Sequence, residues 1–311
     1  MRPEVDLVVV AVKVPEHKRI VSDALAAGKM VYCEWPLARN LSEAEALEGF
    51  ARERRLRTVV GLQGGLHPPI LFLRDLIAQG VIGKPLSTSI RAHLADDMWV
   101  GRYDPPVEYM ADAKNGATLL SIMLGHGLEP LARVLGTFES LSAVVANQRG
   151  DGVRLSDGAS LPKDTPDEIV VAGVLEGGIV TSLHYSAGQS AGGSAMVWEI
   201  QGTEGSVRVE SASGYIHFTD FTITLRRGSE PVEVLQVPPA HAAPDLQLGA
   251  PAAGVARLYA QFAADLRDGT ADAPDFAGAL DRHRVLEAIT RAAETGHRQH
   301  LSRPDRMNSN L

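Results

Sequence analysis

The chain has 311 residues, and its 38 acidic and 30 basic residues give a formal net charge of -8. A surface of that sign repels phosphate backbones and anionic lipids, which argues against nucleic acid or a membrane as a direct ligand. Cys33 is the only cysteine, so no intrachain disulfide can form. These features predict a cytoplasmic protein with two domains, each with its own core.

The first 83 residues alternate between short apolar strands and helices. Residues 7–12 lack polar alternation, which is typical of a parallel strand covered on both faces. The further expected strands are 30–34 and 58–62. The expected helices are 17–27, one beginning at Ser42 in capping-box spacing with Glu45, and 66–79. The turn Gly83-Lys84-Pro85 predicts a domain boundary near residue 83.

From residue 84 onwards, longer alternating strands separated by turn signals indicate an antiparallel sheet. The expected strands are 86–94, 141–147, 168–175, 179–185, 196–201, 206–210 and 221–225. One helix, 117–135, interrupts them, and two more, 255–266 and 277–295, follow. Residues 150–166 and 238–253 are expected to be loops, and 302–311 a disordered tail.

The predicted fold class is therefore α/β plus α+β. Residues 1–83 are expected to form an incomplete Rossmann-type parallel sheet, the C-terminal half of a dinucleotide-binding domain whose earlier elements would lie upstream of Met1. Residues 84–301 are expected to form an open-faced, mostly antiparallel sheet domain with helices on one side.

Polar residues follow each strand of the first sheet. They are Lys13 to His17, Glu34-Trp35-Pro36 and Gln63-Gly64-Gly65. Open α/β sheets bind ligands at the carboxyl ends of their strands, so these residues are expected to border a ligand site. The glycine-rich turn G-x-G-x-x-G, which lets backbone amides approach a pyrophosphate, does not occur in the 311 residues.

Several motifs, in order, cover essentially the whole chain. They are Ala24-Leu25-Ala26-Ala27-Gly28-Lys29, Glu34-Trp35-Pro36-Leu37, Gly202-Thr203-Glu204-Gly205, Asp275-Phe276 and Leu286-Glu287-Ala288. With them the chain resembles the Gfo/Idh/MocA oxidoreductase family. The segments around Lys13, Glu34, Gly61 and Asn115 look most like its galactose-regulon repressor subgroup, whose members act as sensors.

The resemblance implies NAD or NADP as cofactor. By position, Pro15, His17, Glu34, Trp35, Pro36 and Gln63 would contact it, with Glu34 on a ribose and Trp35 stacked on nicotinamide or sugar. His126 would take or relay the hydroxyl proton. The alternative for His126 is a buried histidine satisfied by backbone, and the alternative for Glu34 is a cap on the following turn.

Two groups expected in family enzymes are replaced. Trp35 stands where the family has lysine, and Ile122 stands where it has aspartate. Lys13 is a candidate replacement for the missing ammonium, although an ordinary solvated lysine is the simpler interpretation. Trp99, Tyr103 and Asn115 are candidate substrate-binding residues; the alternative for the segment around Trp99 is a plain polar loop.

The resemblance thus favours hydride transfer between a nicotinamide cofactor and a sugar or cyclitol hydroxyl. The alternatives are a non-catalytic dinucleotide and sugar sensor that regulates a protein partner, and an inactive fragment. A homodimer or homotetramer formed through the sheet domain is also expected. No metal site is predicted.

Overall fold

A three-stranded parallel sheet begins the chain in the computed structural model, which describes residues 2–217, 220–241 and 249–301. Its strands are β1 (Leu7–Val10), β2 (Met30–Cys33) and β3 (Thr58–Val60), in the order β1-β2-β3. The helices connected to them are α1 (Val14–Ala26), α2 (Leu41–Glu53) and α3 (Pro68–Ala78). The strand and helix order predicted for this region is confirmed.

The middle strand, β2, is buried on both of its faces because successive side chains point in opposite directions. Val31 and Cys33 belong to the main core. Tyr32 faces the other way and packs in a second cluster with Leu258 of helix α5 (Ala250–Asp268). A helix from the far end of the chain therefore covers one face of the first sheet.

Strand β1 is at the edge of this sheet, and its burial differs from the prediction. Val9 is 49% exposed and Val12 is 48% exposed, so residues 7–12 are not covered on both faces. Val9 lies opposite Tyr32, on the face that α5 covers. The α5 helix packs over β2 and β3, and its cover ends before Val9.

Two helix starts also differ from the prediction. Helix α1 begins three residues before His17, with Lys13 as its N-cap and Pro15 in its first turn, where the fixed φ of proline suits a helix. Helix α2 is capped by Asn40, whose side chain accepts a hydrogen bond from the Glu43 amide at 3.0 Å. The predicted capping box of Ser42 and Glu45 is therefore wrong.

The second sheet has nine strands in the order β14-β13-β12-β11-β4-β10-β9-β6-β15. Only β4 and β10 pair in parallel; the other neighbours are antiparallel. The strands are β4 (Pro85–Leu94), β6 (Phe138–Ala146), β9 (Glu168–Leu175), β10 (Ile179–Ala187), β11 (Met196–Gly202), β12 (Gly205–Ser211), β13 (Thr222–Arg227), β14 (Glu233–Leu235) and β15 (Gln299–His300).

One face of the large sheet carries helices, and the other is open in the described part of the chain. A π-helix (Leu119–Leu124) and α6 (Phe276–Thr295) pack against the inner face. Helix α4 (Gly125–Leu135) approaches it at Gly127, which lies against Tyr185 of β10. On the outer face Val144 is 64% exposed and Val180 is 60% exposed. The predicted fold class, a parallel sheet followed by a larger, mostly antiparallel open-faced sheet, is confirmed.

Three corrections concern the expected loops and helices. Residues 150–166 are not simply a loop, because β7 (Gly152–Arg154) and β8 (Ser160–Leu161) form a small sheet there with β5 (Arg102–Tyr103). The helix predicted over 117–135 divides into the π-helix and α4. Helix α5 begins within the predicted loop 238–253. The predicted tail 302–311 lies outside the described residues. None of the described helices combines the length and apolarity needed to cross a bilayer.

Candidate functional site

The carboxyl ends of β1, β2 and β3 are tied together by backbone hydrogen bonds. The Glu34 amide donates to Val10 O at 3.0 Å, and the Gly61 amide donates to Cys33 O at 2.9 Å. A Cβ at residue 61 would collide with the Glu34 carboxylate, so glycine allows this close approach. The three loops predicted from the sequence therefore meet at one edge.

Glu34 is the acidic group of this edge, and its side chain is half-buried. Its carboxylate accepts a hydrogen bond from Tyr32 Oη at 2.9 Å. Burial raises the pKa of Glu34, while the Tyr32 hydrogen bond opposes that rise. One carboxylate oxygen is thus held by tyrosine, and the group retains further capacity to accept a hydrogen bond from a hydroxyl.

His17 joins the loops that follow β1 and β2. Its Nδ1 lies 2.9 Å from Pro36 O and its Nε2 lies 3.0 Å from Val12 O. The buried thiol of Cys33 lies 3.4 Å from Nδ1. Both ring nitrogens face protein atoms, so His17 positions the loops. Pro15 is half-buried in the first turn of α1, beside this clamp.

Trp35 has its own packing role in the structure. The indole is 6% exposed, and its Nε1 donates to Ser121 O of the π-helix at 2.8 Å. Gly125 at the start of α4 lies against the indole, because an added Cβ would come 2.6 Å from Nε1. The predicted stacking of Trp35 on nicotinamide or sugar does not match this arrangement: the ring and its N–H join the small sheet to the helices of the large one.

Lys13 and Asn115 meet at Tyr109, away from the buried part of the site. Lys13 is exposed, and its Nζ lies 4.8 Å from the centre of the Tyr109 ring. Asn115 donates from Nδ2 to Tyr109 O at 2.7 Å. The cation–π contact gives Lys13 a partner in the segment after β5, and Asn115 holds the turn that follows that partner.

His126 lies in a buried cluster with two further histidines. Its ring stacks on His217 with centroids 3.8 Å apart and an interplanar angle of 13°. Burial lowers the pKa of His126 to about 3 and of His67 to about 4, and that of His217 also lies well below its usual value. At neutral pH these rings are therefore uncharged. His126 Nδ1 and His67 Nδ1 have no hydrogen-bond partner among the described residues.

Two residues complete the polar lining of this cluster. Gln63, at the end of β3, is buried with its Oε1 unpartnered among the described residues. Its neighbour Gly64 packs against His217, since an added Cβ would lie 3.1 Å from His217 Cβ. Arg257 of α5 has an unpartnered Nε, and its charge contributes to lowering the pKa of His67. Polar atoms that have no hydrogen-bond partner among the described residues thus lie together beside the edge of the parallel sheet.

Trp99 and Tyr103 lie apart from this cluster and are both buried. Trp99 Nε1 donates to Tyr215 Oη at 2.9 Å, and the Tyr215 ring is 5.8 Å from the ring of His217. Tyr103 and Trp99 line a narrow cleft together with the buried Lys163. The rings of Trp99 and Tyr103 are both buried, and the indole N–H already has a partner. Their role as substrate-binding residues stays a prediction.

Three residues of the cluster, His67, His217 and Arg257, were not predicted from the sequence. His67 comes two residues after Gly65, the last residue of the predicted ligand loop. This closeness is the one local signal that could have identified it. His217 and Arg257 come from segments distant in sequence, and no motif marks them. Within the described ranges, no group of three or more His, Cys, Asp or Glu residues is arranged to hold a metal ion.

The residues at the edge fit the nicotinamide half of a dinucleotide. Gln63 Oε1 is a buried acceptor that can receive a carboxamide N–H, and Glu34 can receive a ribose hydroxyl. The close approach at Gly61 keeps these two loops together. Proteins bind such cofactors through a few placed polar groups of this kind.

Two sequence families match the chain. The model described as the oxidoreductase family with an NAD-binding Rossmann fold matches residues 1–62. The model described as the Gal80p C-terminal domain matches residues 68–211. The division between the two matches falls between β3 and α3.

Curated relatives include both dehydrogenases and regulators. Dehydrogenase aclE of Aspergillus oryzae is 31% identical over 303 residues, which cover 94% of this chain and 78% of that protein. The galactose/lactose metabolism regulatory protein GAL80 of Kluyveromyces lactis is 29% identical over 239 residues, covering 71% of this chain and 51% of the regulator.

Solved structures show the same fold. A super-repressor mutant of Gal80p from Saccharomyces cerevisiae superposes with a TM-score of 0.84 at 24% identity, covering 96% of this chain and 80% of that one. Levoglucosan dehydrogenase in complex with NADH and levoglucosan superposes with a TM-score of 0.81 at 21% identity, covering 97% and 82%. Together with the 31% identity to a dehydrogenase over most of both chains, these matches establish that the chain belongs to the Gfo/Idh/MocA oxidoreductase family.

Proposed function

We propose that this protein binds NAD or NADP and transfers hydride between the nicotinamide and a hydroxyl of a sugar- or cyclitol-like substrate. The observation that carries the proposal is the buried His126, whose Nδ1 is unpartnered among the described residues in a polar cluster beside the parallel-sheet edge. The relatives support the same class, since one of them is named levoglucosan dehydrogenase. Residues 1–83 would carry the cofactor side and residues 84–301 the substrate side.

In this mechanism the nicotinamide supplies the redox chemistry, and the protein binds and orients. Glu34 holds a ribose hydroxyl, and Gln63 holds the carboxamide. His126 hydrogen-bonds the reacting oxygen and takes or relays its proton. Because burial lowers the pKa of His126 to about 3, the free ring is neutral at pH 7 and can offer either a lone pair or an N–H.

Lys13 remains a proposed source of the ammonium that Trp35 lacks. Its Nζ rests on the Tyr109 ring beside the first turn of α1. Lys13→Ala is expected to abolish turnover if Lys13 acts on the reacting hydroxyl. Unchanged turnover would leave the lysine as a surface residue that contacts Tyr109.

The central test is turnover by the His126→Gln variant. With a panel of sugars and either dinucleotide, nicotinamide absorbance is expected to change in the wild type and to change at least about 100-fold more slowly in the variant, because a positioned acid–base group contributes that much. His297→Gln, at an exposed position, is the matched control and should keep wild-type activity. Equal rates in all three proteins would contradict the role of His126.

The second candidate function is a non-catalytic sensor that binds dinucleotide and sugar and regulates a protein partner. Trp35 favours it, because the position of the family lysine is filled by an indole whose N–H is already donated to Ser121 O. The named regulators among the relatives support it. Tight dinucleotide binding without any absorbance change in the presence of sugars would decide for the sensor.

We also propose a homo-oligomer formed through the outer face of the large sheet, where Val144, Val170 and Val180 are exposed. A cytoplasmic location is proposed from the single buried Cys33, which needs no oxidising compartment.

A further inference from the structure

Building on the proposed function, we propose that Arg257 and His67 bind a carboxylate of the substrate. The substrate class would then be an acidic polyol, that is, a sugar acid or a carboxylated cyclitol, rather than a neutral sugar. Neither residue was identified from the sequence. Both belong to the buried polar cluster that contains His126.

Arg257 is a half-buried cation that has no counter-ion among the described residues. Its Nε is fully buried and has no hydrogen-bond partner among the described residues, and no ion pair with a described carboxylate is formed. A guanidinium stays charged in proteins, so burying one without an acid is unfavourable. Its planar N–H groups match a carboxylate in geometry and charge.

The groups around Arg257 fit the rest of an acidic polyol. His67 Nδ1 and His126 Nδ1 are both buried and unpartnered among the described residues. A carboxylate accepts hydrogen bonds, whereas a hydroxyl both donates and accepts. A single ligand that carries both kinds of group can therefore satisfy the cation and the ring nitrogens, while Gln63 is left to the cofactor.

Helix α5 holds Arg257 over the ends of the strands. Tyr259 stacks on Tyr32 of β2 with ring centroids 5.0 Å apart. Leu258 is fully buried, and Gly254 lies so close to Gln63 that an added Cβ would come 3.1 Å from its Cγ. These contacts on both sides of Arg257 fix the helix, so the guanidinium is positioned before a ligand binds.

A substrate carboxylate would also help the chemistry at His126. No carboxylate of the described residues acts on the pKa of His126, which burial alone lowers, and His217 stacked on it is neutral as well. An anion close to these rings favours the imidazolium. The substrate would thus bring the negative charge that makes proton uptake by His126 favourable.

The test compares acids with their neutral counterparts by calorimetry on the full chain. The probes are D-galacturonate against D-galactose and D-gluconate against D-glucitol, with NADH titrated separately. The variants are Arg257→Met, the charge-conserving Arg257→Lys, and Arg267→Met as control. Arg267 is on the same helix, and its side chain is 69% exposed. Thermal melting verifies that each variant is folded.

At least one acid is expected to bind about tenfold more tightly than its neutral counterpart, since a charge-assisted pair contributes about that factor. Arg257→Met should lower the affinity for the acid to that for the neutral compound. Arg257→Lys should retain part of the preference for the acid, and Arg267→Met should leave both affinities unchanged. The inference is overturned if acids and neutral compounds bind alike, if no acid binds, or if Arg257→Met weakens both equally. If Arg257→Met weakens only the binding of NADH, the anion that Arg257 binds is a dinucleotide phosphate, and this result also overturns the inference.

Turnover separates this inference from the proposed function. Oxidation of neutral sugars without preference for acids would support the oxidoreductase and overturn the acidic substrate. Selective binding of an acid without any change in nicotinamide absorbance would support the carboxylate site and contradict the oxidoreductase.

Discussion

At the scale of single residues, two glycines at the start of α4 occupy positions where a side chain would not fit. A Cβ at Gly125 would come 2.6 Å from Trp35 Nε1, and one at Gly127 would collide with the Tyr185 hydroxyl. These two glycines flank His126 and let the helix approach the neighbouring elements closely. The histidine is therefore set between two close packing contacts, which fixes its ring against His217.

Gly125→Ala is expected to destabilise the fold by about 2 kcal/mol, because the added methyl group overpacks a buried contact with a rigid indole. Urea unfolding measures the change. Gly49→Ala in α2 is the control, since its nearest neighbour is Arg52 Nη2 at 4.0 Å. That variant should gain about 0.5–1 kcal/mol from the higher helix propensity of alanine. Stabilisation of both variants would contradict the packing described here.

The buried position of His283 leads us to expect that the free energy of unfolding falls in acid. This histidine is 4% exposed beside Trp35, and burial lowers its pKa to about 4 from 6.5. The folded state therefore binds the proton less well than the unfolded state, and stability present above pH 6.5 is lost as the pH falls. Between pH 7 and pH 5 this residue alone should remove about 2 kcal/mol of unfolding free energy.

The His283→Gln variant tests this pH dependence. Its unfolding free energy should fall by about 2 kcal/mol less than that of the wild type over the same interval, because glutamine does not titrate. Denaturant titrations at both pH values give the comparison. Parallel losses in the two proteins would show that His283 is not the group responsible.

At the scale of elements, the link between β8 and β9 depends on a buried ion pair. Lys163 Nζ lies 2.9 Å from Asp167 Oδ2, and both side chains are 1% exposed. Asp167 also accepts from the Gln148 amide at 2.7 Å and from the Arg149 amide at 3.1 Å. The carboxylate therefore connects the end of β6 to the start of β9.

Asp167→Ala should lower the unfolding free energy by about 3–5 kcal/mol, because it leaves a buried lysine charge unpaired. Arg19→Ala is the control: Arg19 pairs with Glu16 at side-chain exposures of 67% and 53%. Breaking that surface pair should cost at most about 1 kcal/mol. Chemical denaturation of both variants makes the comparison, and similar losses would contradict the assigned role.

The prediction of elements succeeded where periodicity is strong. The strand over Glu168–Leu175 agrees at both ends, since an alternating pattern bounded by turns fixes it locally. The short strands β5, β7 and β8 were missed because two or three residues carry no periodicity. The π-helix ahead of α4 was missed because its Trp35 hydrogen bond comes from a residue 86 positions away.

At the scale of the whole molecule, none of the described residues covers the exposed valines on the outer face of the nine-stranded sheet. Val144 lies opposite Val170 in adjacent strands, and both are exposed. Exposed apolar patches of this kind are typical of protein interfaces, and a second copy of the chain is the partner proposed for this one.

Val144→Glu combined with Val170→Glu is therefore expected to convert the oligomer to a monomer, because like charges would meet across the interface. Light scattering after size-exclusion chromatography measures the mass. Val232→Glu is the control, a 48% exposed valine between β13 and β14. A wild-type monomer, or an unchanged mass in the double variant, would contradict the proposed interface.

The sequence by itself determined the fold class, the order of most elements and the three loops at the edge of the parallel sheet, because hydrophobic periodicity and turn residues are local properties. Only the tertiary structure decided the rest. It placed His217 and Arg257, from distant segments, beside Gln63 and His67, and it gave Trp35 a packing role where stacking on a ligand was expected. Contacts between residues far apart in sequence leave no local pattern, so burial and hydrogen-bond partners had to come from the folded chain.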